Sequence, residues 1–194
     1  MATSEHDLRR RMRAAAANDE EADSLGETSR PIHSLTGVEI LAIGSHVPDV
    51  VVPNDALIHL GCDPEWILQR TGIRERRHAP PQVATSDLAY EAARTCLERA
   101  GVSASEVDLI VVATMTPDHP IPSTACLLQQ RLGAPAAAMD LSAACSGFMY
   151  ALVTASQFIR TGTSKRALVV GAEVMSRVVN PRDKKVYPLF GDGA

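Results

Sequence analysis

Aromatic side chains are scarce, with one Trp, three Tyr and three Phe making up 4% of the 194 residues. The 45% apolar share therefore rests on aliphatic and small side chains. That composition is ordinary for a globular core and excludes collagen-like, disulfide-scaffold and low-hydrophobicity disordered chains. Charge of neither sign dominates: 19 Lys and Arg oppose 23 Asp and Glu, for a net −4, and no block of five or six like charges occurs. Nucleic acid is accordingly not an expected partner. Long apolar runs are also lacking. The longest uncharged one, residues 141–159, has nineteen residues but includes Ser142, Cys145, Ser146, Gly147, Thr154, Ser156 and Gln157, so it reads as protein core and implies no membrane. The four cysteines, at 62, 96, 126 and 145, match no CxxC pattern, so no metal site is expected. Four are too few for a secreted disulfide framework, which points to a reducing, cytoplasmic setting.

Two regions differ in composition. Residues 1–36 carry five Arg and seven acidic residues, and half of their twelve apolar residues are Ala. The Arg9–Arg13 cluster has no apolar stretch of targeting-peptide type behind it, so this part is expected to be a flexible polar N-terminal tail. Residues 37–194 are long enough for one core of normal size.

Strand and helix patterns alternate along that second region. Gly37–Ile43 reads as a strand buried on both faces, ended by Pro48 and Pro53. Asp63-Pro64-Glu65 supplies an N-cap, a first-turn proline and an acid for a short helix over 64–70, which Gly72 closes. Ser86 is the expected cap of a helix with an apolar stripe of Leu88, Ala89, Ala92, Ala93, Cys96, Leu97 and Ala100, stopped by Gly101. Ser103–Glu106 has capping-box spacing, and Leu109–Ala113 reads as a strand covered on both faces. Ser123 then caps a helix to about Leu132, Ala137–Leu141 is a strand, 145–161 a helix stopped by Gly162, and Ala167–Gly171 another strand. This βαβαβ order calls for an α/β fold with a mostly parallel sheet and helices on both faces. Helix 145–161 is apolar nearly all round and is expected between layers, in an architecture of three or more layers that exceeds what this chain provides.

Cys145 is the strongest candidate nucleophile. It sits in Ser142-Ala143-Ala144-Cys145-Ser146-Gly147-Phe148, between a strand and the first turn of the apolar helix. Backbone N–H groups and the positive end of a helix dipole favour a thiolate there. Small neighbours give the turn the character of a nucleophile elbow, the alternative being an inert buried thiol. Cys96 and Cys126 fall within helices on apolar faces, and Cys62 on a turn, where nothing activates them. His119 stands in a loop near a strand end, from which it could pair with Cys145.

Four motifs now carry a resemblance: Ala143–Phe148; Glu65-Trp66-Ile67 leading to Arg70–Arg76; Pro122–Cys126; and Phe190–Ala194. In this order over residues 37–194 they resemble the β-ketoacyl-acyl-carrier-protein synthase III family, the initiating condensing enzymes of type II fatty-acid synthesis in the thiolase superfamily. The resemblance implies a thiolase-like layered fold of two similar βαβαβ halves, of which only the first is present. It implies an acyl-cysteine at Cys145, formed from an acyl-coenzyme A primer and passed to malonyl-acyl-carrier protein. No metal or redox cofactor is needed, coenzyme A entering as a thioester substrate. The decarboxylating His and Asn, and a glycine amide of the oxyanion hole, belong to the family's second half. A truncated product, a fragment or a complementary C-terminal half are the three explanations for a chain without them, and a homodimer is the expected assembly.

The resemblance also places Trp66 against the adenine of coenzyme A and Arg70 at its phosphates, chemistry suited to stacking and charge-assisted hydrogen bonds. Ordinary packing with an outward guanidinium is the other reading of that pair. Lys184 stands where the family often has an Arg beside the adenine, within a basic group that includes Arg182 and Lys185; Lys stacks less well than Arg, and the run otherwise reads as a solvated turn. Ile121 falls where the family places a residue, often Phe, that closes the acyl pocket across the dimer. An aliphatic residue leaves room for longer or branched primers, or is simple loop packing. The family's His in the loop of His119 is not catalytic. A related acyltransferase making esters or polyketide starters, and a catalytically silent fragment, are the other readings.

Overall fold

The computed structural model describes residues 37–194, and the expected tail, 1–36, lies outside the described residues. The chain first forms β1 (Val50–Pro53), a 3-10 stretch (Asn54–Leu60), α1 (Pro64–Thr71) and β2 (Glu75–His78). As the sequence predicts, the Asp63 side chain accepts from the Glu65 N–H at 3.0 Å, and Gly72 ends α1 at φ +73°. β1 and β2 pair antiparallel, Val50 opposite His78 and Pro53 opposite Glu75. This small ribbon has no alternating apolar pattern, because its side chains are mostly exposed or charged.

The main layer follows. α2 (Thr85–Ala100) precedes β3 (Leu109–Ala113), α3 (Thr124–Leu132), β4 (Ala137–Leu141), α4 (Gly147–Arg160) and β5 (Ala167–Gly171). The three strands are parallel in the order β4-β3-β5, so the second crossover carries the chain past β3. β3 is buried at every residue, in keeping with its uninterrupted Leu-Ile-Val-Val-Ala run. Ile110 and Val112 pack towards Ala89, Ala93 and Leu128 of α2 and α3, and Leu109 and Val111 pack towards Ala151 and Ala155 of α4. The alternation of β3 thus divides the core between two helical layers. Beyond β5, β6 (Glu173–Val174) pairs antiparallel with β7 (Asp192–Gly193).

Three expectations need correction. Residues 37–43 form no strand ladder: Ile40, Leu41 and Ile43 are 65%, 57% and 72% exposed, because no neighbouring strand lies beside them among the described residues. Ser86 is not the cap of α2, which begins at Thr85 after Ala84. The Asp87 side chain accepts from the Ala84 N–H at 2.8 Å, and the Ser86 N–H goes to Asp118 at 2.9 Å, so the acid takes over the role expected of the hydroxyl. Finally, α4 starts at Gly147, after a 3-10 turn over Ala144–Ser146. Its buried side holds Gly147, Ala151, Ala155 and Ser156, whereas Phe148, Met149, Tyr150 and Val153 are exposed. Described residues therefore cover one side of α4, and the layers formed are three: helix, sheet, helix.

Candidate active site

Cys145 occupies the 3-10 turn that joins β4 to α4. The preceding residue, Ala144, has φ +46°, a left-handed conformation costly for any residue with a Cβ. The chain must reverse sharply off the sheet edge, and Gly147 lets it do so: a Cβ there would lie 3.3 Å from that of Ala113 at the end of β3. The turn closes with the Ser146 N–H bonded to the Ala143 carbonyl at 3.2 Å. Cys145 is exposed at this corner. It does not sit in the first α-helical turn, as the sequence suggests, but two residues before it.

The other cysteines are half-buried and engaged. Cys96 Sγ lies 3.4 Å from the Ala42 carbonyl oxygen, Cys126 Sγ 3.1 Å from Ser123 Oγ, and Cys62 Sγ 3.7 Å from the Lys184 carbonyl oxygen. Cys126 is in the first turn of α3, so a helix start alone does not distinguish Cys145; exposure does.

Beside the Cys145 segment lies an open cavity of about 600 Å³, lined by Thr114, Met115, His119, Met139, Asp140 and Ser142 among others. Its loop, residues 114–123, is held by acids that the sequence reading did not single out. Glu173 accepts from the Met115 N–H and the Thr116 hydroxyl, each at 2.7 Å. Asp140 accepts from the N–H groups of Thr124 and Ala125 at 2.8 and 2.7 Å, pairing a carboxylate with the start of α3. An acid within the otherwise apolar Ala137–Leu141 strand was the available signal. His119 is exposed on this loop, and Ile121, at 88% exposure, projects from it.

Trp66 and Arg70 stand four residues apart on the exposed side of α1, opposite buried Ile67. The Cys62–Lys184 contact brings the 182–185 turn next to the start of α1, so Trp66, Arg70 and Lys184 come from adjoining segments although 114 residues separate Arg70 from Lys184 in sequence. The Arg74–Arg76 end of the same motif has a structural role: buried Arg76 donates to the Val52 carbonyl at 3.0 Å and to Asn54 Oδ1 at 2.6 Å. Burial holds its pKa below the ordinary guanidinium value. Among the described residues no group of three or more His, Cys, Asp or Glu has metal-binding geometry, and no helix is long and apolar enough to cross a membrane.

Comparison with known proteins follows the same outline. A sequence profile described as 3-oxoacyl-[acyl-carrier-protein (ACP)] synthase III matches residues 139–194, which include the Cys145 turn. A β-ketoacyl-[acyl-carrier-protein] synthase III of Rhodopirellula baltica is 63% identical over 161 residues, 83% of this chain and 47% of that protein. One of Geobacillus kaustophilus is 52% identical, over 81% of this chain and 52% of its own length. Among solved structures, the synthase III of Thermus thermophilus superposes with a TM-score of 0.78 at 43% identity, covering 80% of this chain and 49% of that one. The priming β-ketosynthase of the R1128 polyketide pathway gives 0.78 at 40% identity, covering 80% and 47%. The chain spans about half the length of these relatives, and its layered α/β fold is the thiolase-like fold of those structures. With the Cys145 corner, the Trp66–Arg70 helix and the parallel β4-β3-β5 layer all within that shared span, the chain belongs to the β-ketoacyl-acyl-carrier-protein synthase III family.

Proposed function

We propose that Cys145 is the acyl-accepting nucleophile of an acyltransferase that starts fatty-acid synthesis in the cytoplasm. The Cys145 sulfur attacks the thioester carbonyl of an acyl-coenzyme A, and the tetrahedral oxyanion collapses to expel the coenzyme A thiolate, which takes up a proton. The acyl group remains as a thioester on Cys145. The amide of Cys145 itself is suited to stabilise the oxyanion, because a turn at a helix start presents N–H groups on one side. In the second half-reaction, malonyl-acyl-carrier protein loses carbon dioxide, its carbanion attacks the acyl carbonyl, and the Cys145 thiolate leaves. Trp66 and Lys184 are assigned to either side of the adenine, Arg70 to the phosphates, and Ile121 to the acyl chain. No metal or redox group takes part in either step.

The observation that carries this reading is the exposure of Cys145 at a strand-to-helix corner with a left-handed residue before it, a conformation retained at functional turns because it aims the side chain that follows. The second half-reaction calls on a His and an Asn that the resemblance places in the half of the family length that residues 1–194 do not span. Such groups are each typically worth about 10² to 10⁴ in rate, so the 194-residue chain alone is expected to condense nothing above background. Transfer of a primer to polyketide or ester-forming chemistry is the second reading, favoured by the likeness to the R1128 priming ketosynthase and by the aliphatic, exposed Ile121.

Incubation with radiolabelled acetyl-coenzyme A tests the first half-reaction. Label is expected on the peptide containing Cys145 and not in the Cys145→Ala variant. A folded chain that takes no label, or labels Cys126 instead, overturns the assignment.

A further inference from the structure

Ala144 holds its φ of +46° without the freedom of a glycine, so the residues around the Cys145 turn must impose it. Before the cysteine, two contacts reach the turn from the end of β3. The Thr114 N–H donates to the Leu141 carbonyl at 3.2 Å, and the Ser142 hydroxyl to Met115 Sδ at 3.3 Å. After the cysteine, Phe148 packs on the end of β5, where a Cβ on Gly171 would fall 3.3 Å from the Phe148 ring.

Thr114 and Met115 are themselves held by one side chain, two residues beyond Gly171. The Glu173 carboxylate accepts from the Met115 N–H at 2.7 Å, from the Thr116 hydroxyl at 2.7 Å and from the Thr114 hydroxyl at 3.4 Å. The Thr116 hydroxyl oxygen accepts in turn from the Val174 N–H at 2.9 Å, and the Thr114 hydroxyl oxygen from the Thr116 N–H at 3.0 Å, so the cluster closes on itself. The first turn of α2 adds a brace, the Thr85 hydroxyl donating to the Thr116 carbonyl at 2.5 Å. Three donors converging on one group call for a pure acceptor, which a carboxylate is and an amide is not. Both Glu173 oxygens are engaged in this way, so its influence on Cys145 runs through Thr114, Met115 and residues 141–142.

We infer that Glu173 is a positioning residue for Cys145: it fixes Thr114 and Met115 across the carboxyl end of the sheet, and these hold the Leu141–Ser142 entry of the turn so that the sulfur meets the thioester in one orientation. The inference rests on Cys145 being the acyl acceptor. A displacement of about 1 Å at a reacting atom costs up to about a hundredfold in rate. Loosening the brace should therefore slow acyl transfer and spare coenzyme A binding, whose assigned residues Trp66, Arg70 and Lys184 lie on other segments.

The test is acylation of Cys145 in the 194-residue chain by radiolabelled acetyl-coenzyme A, measured as a limiting rate and a half-saturating concentration. Glu173→Ala is expected to lower the limiting rate at least about tenfold and to leave the half-saturating concentration within about twofold. Glu173→Gln, which keeps an oxygen for the Met115 N–H, should recover the rate to within about threefold of the unsubstituted chain. Met115→Leu, which removes the acceptor of the Ser142 hydroxyl, should lower the rate about two- to fivefold and add nothing in the Glu173→Ala background. A folded Glu173→Ala chain that acylates at the full rate, an effect confined to half-saturation, equal losses in the Ala and Gln variants, or additive losses in the double variant would each overturn the proposal. Should Glu173→Ala fail to fold, Met115→Leu decides, a full rate there overturning it. Should the unsubstituted chain take up no label, the acyl-acceptor assignment fails by itself and amide exchange decides the positioning. Faster exchange at Thr114 and Gly147 in Glu173→Ala, with Val111 unchanged, upholds it; unchanged exchange at both overturns it.

Discussion

The Cys62 thiol lies 3.7 Å from the Lys184 carbonyl oxygen, across 122 residues of sequence. That contact sets the basic turn beside the helix that carries Trp66 and Arg70, two charges and an indole suited to a nucleotide with phosphates. Trp66→Ala is expected to weaken coenzyme A binding about two- to tenfold, the worth of one aromatic stack. Lys184→Ala should lower affinity and reduce its salt dependence without altering the rate at which bound acyl groups reach Cys145. Titration calorimetry with coenzyme A at two salt concentrations checks both. Unchanged binding in both variants would remove the nucleotide from this surface.

Alkylation separates the four thiols. Cys145 is exposed, whereas Cys62, Cys96 and Cys126 are half-buried, each with its sulfur against an oxygen. Iodoacetamide at neutral pH should modify Cys145 ahead of Cys96 and Cys126 in the folded chain, and all four at similar rates in denaturant. Equal rates in the folded chain, or selective protection of Cys145, would contradict the accessible corner.

His78 makes stability depend on pH. Burial lowers its pKa from the ordinary 6.5, Asp192 opposing and Arg76 reinforcing that shift. The unfolded chain therefore takes up the proton at higher pH than the folded one. The stabilisation from a neutral His78 is complete above the ordinary histidine value and is lost as pH falls below it. Thermal melts between about pH 7 and 5 should show a steeper fall in Tm for the unsubstituted chain than for His78→Gln. Parallel slopes would assign the acid sensitivity to carboxylates alone.

The apolar flank of α4 predicts association. Phe148, Met149, Tyr150 and Val153 are 47%, 58%, 58% and 45% exposed, a contiguous patch of a kind that soluble monomers rarely carry. Sedimentation at micromolar concentration should find the chain self-associated, and Met149→Lys with Val153→Lys should shift it towards monomer. A stable monomer with cooperative unfolding would show that this face needs no cover.

Legibility followed the range of the interactions. Asp63, Ser103 and Ser123 announce their helices, and the runs at 109–113, 137–141 and 167–171 announce their strands, because a cap or a doubly buried strand is written in consecutive residues. Ser86 misled because its competitor, Asp118, lies 32 residues away. The 37–43 segment has the composition of a core strand but not the neighbour that would make it one. At the site, the corner at Cys145 was legible from its small residues. The acids Glu173 and Asp140, which hold the cavity loop through partners up to 58 residues distant, were not.

The central position of β3 sets an order for the chain's emergence from a ribosome. Both edges of β3 are claimed by strands made later, β4 starting about 24 residues after β3 ends and β5 about 26 after β4 ends. At about 5 to 20 residues per second, Leu109–Ala113 waits one to several seconds for its first partner and as long again for its second. Of the helices that will cover it, only α2 is already available during that wait. A substitution that weakens α2 against Ile110 and Val112 should therefore depress soluble yield during synthesis more than it depresses the Tm of the protein that survives.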